Sequence, residues 1–235
     1  IERTYGDRSM ITGYGTIHKD RTRDETMVGG SGYVRSGNHY VFGHAANLSR
    51  AHGSASTVMI TTDYEAPHLY STLVYRSVPN DFQPYLGLMG YTNYTGGFAY
   101  TSYSQNPTKG PIESLSWESV VDHDRRFNGK VLSRGFDTAL GIGLRSFHTF
   151  NIAVESRQYE DTYDRGGSLY YRYSRKDPYN SFSASAGFGS RGPNGYRNLS
   201  ASINRRPVKG LDLGLAYAEE KYLGHRSQMI GTVGY

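Results

Sequence analysis

The chain has 235 residues, a formal net charge of +5 and no cysteine, so disulfide frameworks, thiolate zinc sites and cysteine nucleophiles are excluded. Its mean hydropathy of −0.62 is too polar for a bundle of membrane-spanning helices, and no apolar run approaches the about 20 residues that such a helix needs. The 22 tyrosines argue against plain disorder, which is poor in aromatic residues. Basic residues are spread along the chain without the clustering typical of nucleic-acid binding, so no nucleic-acid partner is expected.

Turn signals rich in Gly, Pro, Asn and Asp interrupt the chain at short intervals, from residues 20–25 to residues 206–210. The segments between them are about 9 to 14 residues long and rich in Tyr, Val, Thr, Phe and Ser, which is strand composition. Such lengths match tilted membrane-spanning strands better than the shorter strands of globular proteins. Roughly 14 to 16 strands are predicted, and the short links between them favour antiparallel neighbours.

The eight histidines are scattered along the chain. His39 and His44 fall on opposite faces of one predicted strand, so they would not share a ligand. No ligand spacing typical of a metal site occurs, and we predict neither a metal nor a cofactor.

The segment SVPNDFQPYLGLMGYTNYTGGFAYTSY (residues 77–103) contains Phe82, Pro84 and Gly87. It resembles the F-x-P-x-x-G-[FL] strand–turn–strand of a large, uncharacterised family of bacterial surface proteins. In that family a carbohydrate-binding-like domain precedes a C-terminal outer-membrane barrel. The resemblance extends over about two-thirds of the chain, although the basic pair that usually follows the motif and the N-terminal domain are not in this sequence. It implies a barrel and no known activity.

The cluster VVDHDRR (residues 120–126) brings Asp122, His123 and Asp124 together at a predicted strand end. An Asp and a His at a barrel rim can activate water, as in outer-membrane proteases, so a rim-active outer-membrane hydrolase is one alternative. The simpler interpretation is a charged hairpin end, because catalysis would need partners on other strands. No G-x-S-x-G nucleophile motif occurs. We therefore assign no catalytic residue and do not expect an enzyme.

Alternation of apolar with small or charged residues over residues 130–160, and again over 181–189 and 211–220, is the main structural signal. The apolar positions expected to face lipid include Phe136, Leu140, Ile142, Phe150, Ile152, Leu213 and Leu215. The charged positions on the other parity, expected to face a lumen, are Asp137, Arg145, Glu155, Arg157, Arg172, Asp212 and Glu220. Opposed charges on neighbouring strands could cross-link the wall or set pore selectivity.

Small and polar residues on a whole strand face indicate which kind of β protein this is. A β-sandwich also alternates, but it fills its interior with bulky apolar side chains. Transmembrane barrels instead carry apolar residues towards lipid and polar residues towards the lumen, and a spanning sheet must close because lipid offers no hydrogen bonds. The last segment, QMIGTVGY, ends on the aromatic Tyr235 and resembles the C-terminal signal of bacterial outer-membrane barrels.

We therefore predict an all-β fold, an antiparallel up-and-down transmembrane β-barrel of roughly 14 to 16 strands. One domain over residues 1–235 is expected, located in the bacterial outer membrane. Because the chain begins at Ile1, we expect a removed leader or a fragment of a longer chain. The expected role is a passive pore or a membrane anchor and scaffold for a surface assembly, with membrane lipid as partner and a second protein as candidate plug or cap. A secreted all-β carbohydrate-binding module is the other alternative.

Overall fold

A computed structural model describes residues 2–4, 9–19, 24–84, 92–174 and 179–234 of the chain. Within these ranges the regular secondary structure is β-strand throughout. No helix in the described part is long and apolar enough to cross a membrane. The strands are β1 (Glu2–Thr4), β2 (Ser9–Lys19), β3 (Asp24–Ser36), β4 (His39–Arg50), β5 (Gly53–Ala66), β6 (Leu69–Val78), β7 (Tyr94–Gln105), β8 (Ile112–Arg125), β9 (Val131–Leu144), β10 (His148–Tyr159), β11 (Thr162–Ser174), β12 (Ser181–Arg191), β13 (Asn194–Val208), β14 (Leu211–Lys221) and β15 (His225–Gly234).

The sheet order follows the sequence order from β1 to β15, which confirms an up-and-down antiparallel arrangement. The fourteen strands after the three-residue β1 are 10 to 15 residues long, within the predicted count. The sheet as described starts at β1 and ends at β15. The chain divides into two compact units, Ile1–Thr101 with Val120–Arg134, and Ser102–Ser119 with Gly135–Tyr235.

In the first unit, β2 to β6 pair consecutively through continuous antiparallel registers. The links after β3, β4 and β5 contain two residues each, at 37–38, 51–52 and 67–68. Gly37 in the first of these has a φ of 58°, a left-handed conformation that glycine adopts without steric cost. The sequence RSGNH (residues 35–39), one of the predicted turn signals, therefore contains a hairpin turn.

In the second unit, β10 to β15 also form consecutive antiparallel hairpins. The sequence predicts breaks over 160–167 and 190–197, but the observed turns contain only residues 160–161 and 192–193. Gly166, inside the first predicted break, lies within β11 instead, and its lack of a side chain leaves room for a neighbouring tyrosine ring, as described below.

The buried apolar core of the first unit lies beside the link that follows β6. Ala46, Leu48, Ala55 and Val78 form a cluster with Phe82, which is 3% exposed. The link spans residues 79–93, of which 79–84 and 92–93 are described. Phe82 and Pro84 of the motif in the surface-protein resemblance lie in this link, and Gly87 of that motif lies outside the described residues.

Candidate functional site: the polar face of the sheet

Alternate residues of the second unit place small and polar side chains on one face, which we call the polar face. One row across β10 to β15 consists of Asn151, Tyr170, Ser185, Ser200, Ala218 and Gln228. The Oγ atoms of Ser185 and Ser200 are 2.7 Å apart, and those of Ser183 and Ser202 in a neighbouring row are 2.8 Å apart. The parity observed in the sequence is therefore kept from strand to strand, because the registers run without a slip from β10 to β13.

The opposite surface of the same strands is the apolar face. The row of this face that adjoins the polar row described above begins with Ile152 and Leu169, and many of the large aliphatic and aromatic side chains on the face are exposed, Val233 by as much as 77%. The seven residues predicted to face lipid all occupy apolar-face positions: Phe136, Leu140, Ile142, Phe150, Ile152, Leu213 and Leu215. Among them Ile152 is 48% and Leu215 is 49% exposed.

Six of the seven charged residues predicted for a lumen occupy polar-face positions on strands: Asp137, Glu155, Arg157, Arg172, Asp212 and Glu220. Arg145 is different, because it lies in the turn that follows β9. Its Nε donates to the carbonyl of Gly110 at 2.9 Å and its Nη2 to the carbonyl of Pro107. Arg145 thus ties the β9–β10 turn to the β7–β8 link.

Asp137 and Arg157 form an ion pair across β9 and β10. The Nε of Arg157 donates to both carboxylate oxygens of Asp137, at 3.2 and 3.0 Å, and its Nη2 donates to Oδ2. The Asp137 side chain is 23% exposed and that of Arg157 is 62% exposed. This is the cross-strand pairing of opposed charges that the sequence parity allows, in the strong forked geometry of a guanidinium on a carboxylate.

Tyr196 lies across two strands of the polar face. Glu155, Gly166, Gly189 and Tyr196 form one row of the β10–β13 registers. A Cβ on Gly166 would lie 2.2 Å from the hydroxyl oxygen of Tyr196, and a Cβ on Gly189 would lie 2.7 Å from its Cε1. The ring therefore occupies the space that a Gly166 side chain would need, whereas at Gly189 the carbonyl oxygen of Arg165 lies closer still, at 2.0 Å. The Tyr196 hydroxyl reaches Glu155 Oε1 at 3.5 Å.

At the two ends of β14 the polar face carries further charges. Arg206 donates through Nε and Nη2 to the two oxygens of Asp212, at 2.5 and 2.7 Å, because a register shift between Arg205 and Val208 brings it to this position. At the other end, Glu220 is the direct register partner of Arg226. A hollow of about 630 Å³ lies beside this pair and is lined in part by the serine rows.

In the first unit, on the face that carries His44, Arg50 and Arg76, Arg50 holds the segment of residues 79–84. Its Nε binds Glu25 Oε2 at 3.2 Å, its Nη1 donates to the carbonyl of Asp81 at 3.1 Å, and its Nη2 donates to that of Gln83. Phe82 lies between these two anchored residues and is buried against Leu48 and its neighbours. Arg50 and Phe82 together fasten the start of the β6–β7 link onto this face.

A second ion pair in the same unit joins Arg76 to Asp124. Arg76 Nη2 lies 2.9 Å from Asp124 Oδ2, and its guanidinium carbon lies 5.2 Å from the centre of the Tyr94 ring. The Asp124 side chain is only 7% exposed. Neither Arg50 nor Arg76 was among the predicted wall residues, although the alternation of β4 and β6 could have suggested them. The apolar residues that share their parity, such as Leu48, obscured that signal.

The cluster proposed for a rim hydrolase is divided between the two faces of β8. Asp122 accepts a hydrogen bond from Ser133 Oγ at 3.1 Å, while Asp124 binds Arg76. His123 points to the other side, since neighbouring strand residues alternate, and its Nε2 lies 2.6 Å from Arg125 Nε. The geometry therefore assembles no Asp–His pair for activating water.

Histidines of β4 also lie on opposite faces, as predicted. His44 Nε2 is 2.7 Å from the Tyr14 hydroxyl, whereas the His39 ring contacts the Tyr64 ring with centroids 5.0 Å apart. In the described portion of the chain, no group of three His, Asp or Glu side chains is arranged to hold a metal ion.

Comparison with known proteins finds similarity in fold. No family model and no curated protein matches the chain, so the resemblance to the surface-protein family is not supported. Pseudomonas aeruginosa OpdK, solved with vanillate, has a TM-score of 0.52 at 12% identity over 97% of this chain and 76% of that one. A BenF-like porin from Pseudomonas fluorescens Pf-5 has a TM-score of 0.53 at 10% identity, covering 97% and 74%. P. aeruginosa OccK11 (OpdR) has a TM-score of 0.50 at 13% identity, covering 96% and 75%. The fold of this chain is similar to that of porins.

Proposed function

We propose that the chain forms a pore in the bacterial outer membrane, as a closed barrel whose polar face lines the lumen and whose apolar face contacts lipid. The observation that carries the proposal is the separation of the two faces, continuous over the consecutive strands β10 to β13 of the second unit. Soluble proteins seldom expose a contiguous apolar surface of this extent. Strands of 10 to 15 residues are long enough to cross a bilayer with tilt.

The wall charges suggest what such a pore would select. The carboxylates of Glu25, Asp124, Asp137 and Asp212 each have an arginine partner. A paired wall produces weaker net fields than a ring of one sign, which is the usual source of strong ion selectivity. We therefore propose passive diffusion of small polar solutes with weak preference for charge. The vanillate named with OpdK is a suitable small organic acid to test against neutral sugars.

The test begins with a gel comparison of boiled and unboiled protein in detergent. A compact band that shifts on boiling is expected for a closed barrel. Planar-bilayer recording should then give stable conductance steps, with a reversal potential in a KCl gradient that lies near zero. A soluble protein without a heat-dependent band would contradict the membrane proposal. A detergent-resistant barrel without conductance would favour the anchor or scaffold role, which stays a prediction.

A further inference from the structure

A row of cations interrupts the apolar face of the second unit at the end next to the β14–β15 turn. Arg197, Lys221 and His225 are direct register partners on β13, β14 and β15. Neighbouring strands are about 4.8 Å apart, so the row extends over roughly 10 Å of surface. All three side chains are exposed, and they lie on the face that the proposed function assigns to lipid.

One carboxylate organises this row. Glu219 is 13% exposed and accepts from Arg197 Nη2 at 2.7 Å, from His225 Nε2 at 3.3 Å and from the Tyr217 hydroxyl at 2.9 Å. It fixes the guanidinium and the imidazole beside each other while 56% of the Arg197 side chain stays exposed. Among the described residues no ion pair involves Lys221, so one carboxylate faces two permanently charged groups and the site has a positive excess.

Apolar side chains adjoin the row on the side of the strand centres. Leu199 follows Arg197 at the next apolar-face position of β13, in a row with Glu219 and Ser227, and the row after it contains Ala201, Tyr217 and Met229, which is 69% exposed. Cations above an exposed aliphatic and aromatic surface fit a molecule that carries a phosphate and acyl chains together. A free phosphate ion has no acyl chain, so it would leave the aliphatic and aromatic surface beside the cations without a contact.

We infer that Arg197 and Lys221, positioned by Glu219, bind the phosphate of an anionic membrane lipid, of the lipid A type, at the outer surface of the barrel. This inference rests on the proposed function, because it requires the apolar face to be in the membrane. It assigns the end of the barrel that carries the β14–β15 turn to the leaflet containing that lipid. Arginine suits the role because its fork of donors matches phosphate oxygens.

The test compares lipid binding by folded protein in zwitterionic detergent, measured by native mass spectrometry with bis-phosphorylated lipid A. The variant Arg197→Gln/Lys221→Gln should bind about 30-fold more weakly, since one basic residue near a lipid surface contributes about fivefold in affinity. The control Arg172→Gln/Arg205→Gln removes the same charge from the polar face and from the far end of β13, and should bind like the native protein. Arg197→Lys/Lys221→Arg should retain most of the affinity.

Three results would overturn the inference: equal losses in both Gln double variants, equal binding of dephosphorylated lipid A, or displacement by inorganic phosphate at low millimolar concentration. Bilayer conductance of the Arg197→Gln/Lys221→Gln variant separates this site from the pore. Unchanged conductance with specific loss of lipid binding supports both proposals. Specific loss of lipid binding in a protein that never conducts supports the lipid site and contradicts the pore.

Discussion

Replacing Gly166 by alanine tests whether the Tyr196 ring really lies across the polar face. The new Cβ would approach the Tyr196 hydroxyl oxygen to 2.2 Å and Glu155 Oε1 to 3.1 Å. Overpacking of this kind costs about 1–3 kcal/mol, and the better strand propensity of alanine offsets about 0.5–1 kcal/mol. We expect a net loss of about 1 kcal/mol in the free energy of unfolding, measured by urea titration of the protein in lipid vesicles.

A double-mutant cycle makes this prediction specific. In a Tyr196→Ala background the ring is absent, so Gly166→Ala should be neutral or stabilising, with a coupling energy of about 1–2 kcal/mol. Gly231→Ala on β15 is the matched control, because a Cβ there meets no atom within 4 Å. The same loss from Gly166→Ala with and without Tyr196, or an equal loss from Gly231→Ala, would refute the proposed ring position.

The other predictions concern single positions. Leu215→Arg should destabilise the barrel in bilayers by about 2–4 kcal/mol while the adjacent polar-face Ala216→Arg costs much less; equal costs in vesicle unfolding would contradict the face assignment. Asp137→Asn should cost about 1 kcal/mol, because the Arg157 partner is 62% exposed and ion pairs open to solvent contribute little, yet it should shift the reversal potential towards anion preference; an unchanged potential would place the pair outside the ion path. Phe82→Ala should cost about 3 kcal/mol by urea titration and make residues 79–84 accessible to protease, and an unaltered digestion pattern would argue against burial of this segment.

Part of the link after β6 lies on one face of the first unit, which bears on what could close a lumen. The sequence predicts short links at most turns, which leave few residues of this chain to plug a lumen. A partner protein or a missing N-terminal domain was therefore expected to close it. Residues 79–84 nevertheless lie on one face of the first unit, held by Arg50 and by burial of Phe82. A partner that plugs or caps the barrel stays a prediction, and the chain has in addition a segment of its own at this face.

Although it also assigned Arg145, which lies in a turn, alternation alone predicted the strand class, the approximate strand count and the shared parity of the residues named on strands. The reason is that the two-residue period is a local property of extended backbone, so Leu213 and Asp212 oppose each other whatever their neighbours are. His39 and His44 were assigned to opposite faces by the same rule and lie there.

Contacts between strands required the tertiary structure, because they depend on register and on links whose geometry composition does not encode. Parity placed Asp137 and Arg157 on one face, but only the pairing of β9 with β10 brings them into contact. Gly166 was predicted to lie in a turn, whereas the structure places it in β11 with the hydroxyl of Tyr196, two strands away, in the space of its missing side chain. In the sequence Phe82 is noticeable only as part of the F-x-P-x-x-G motif. The structure shows that it is buried, because Leu48 and other residues distant in the chain pack against it.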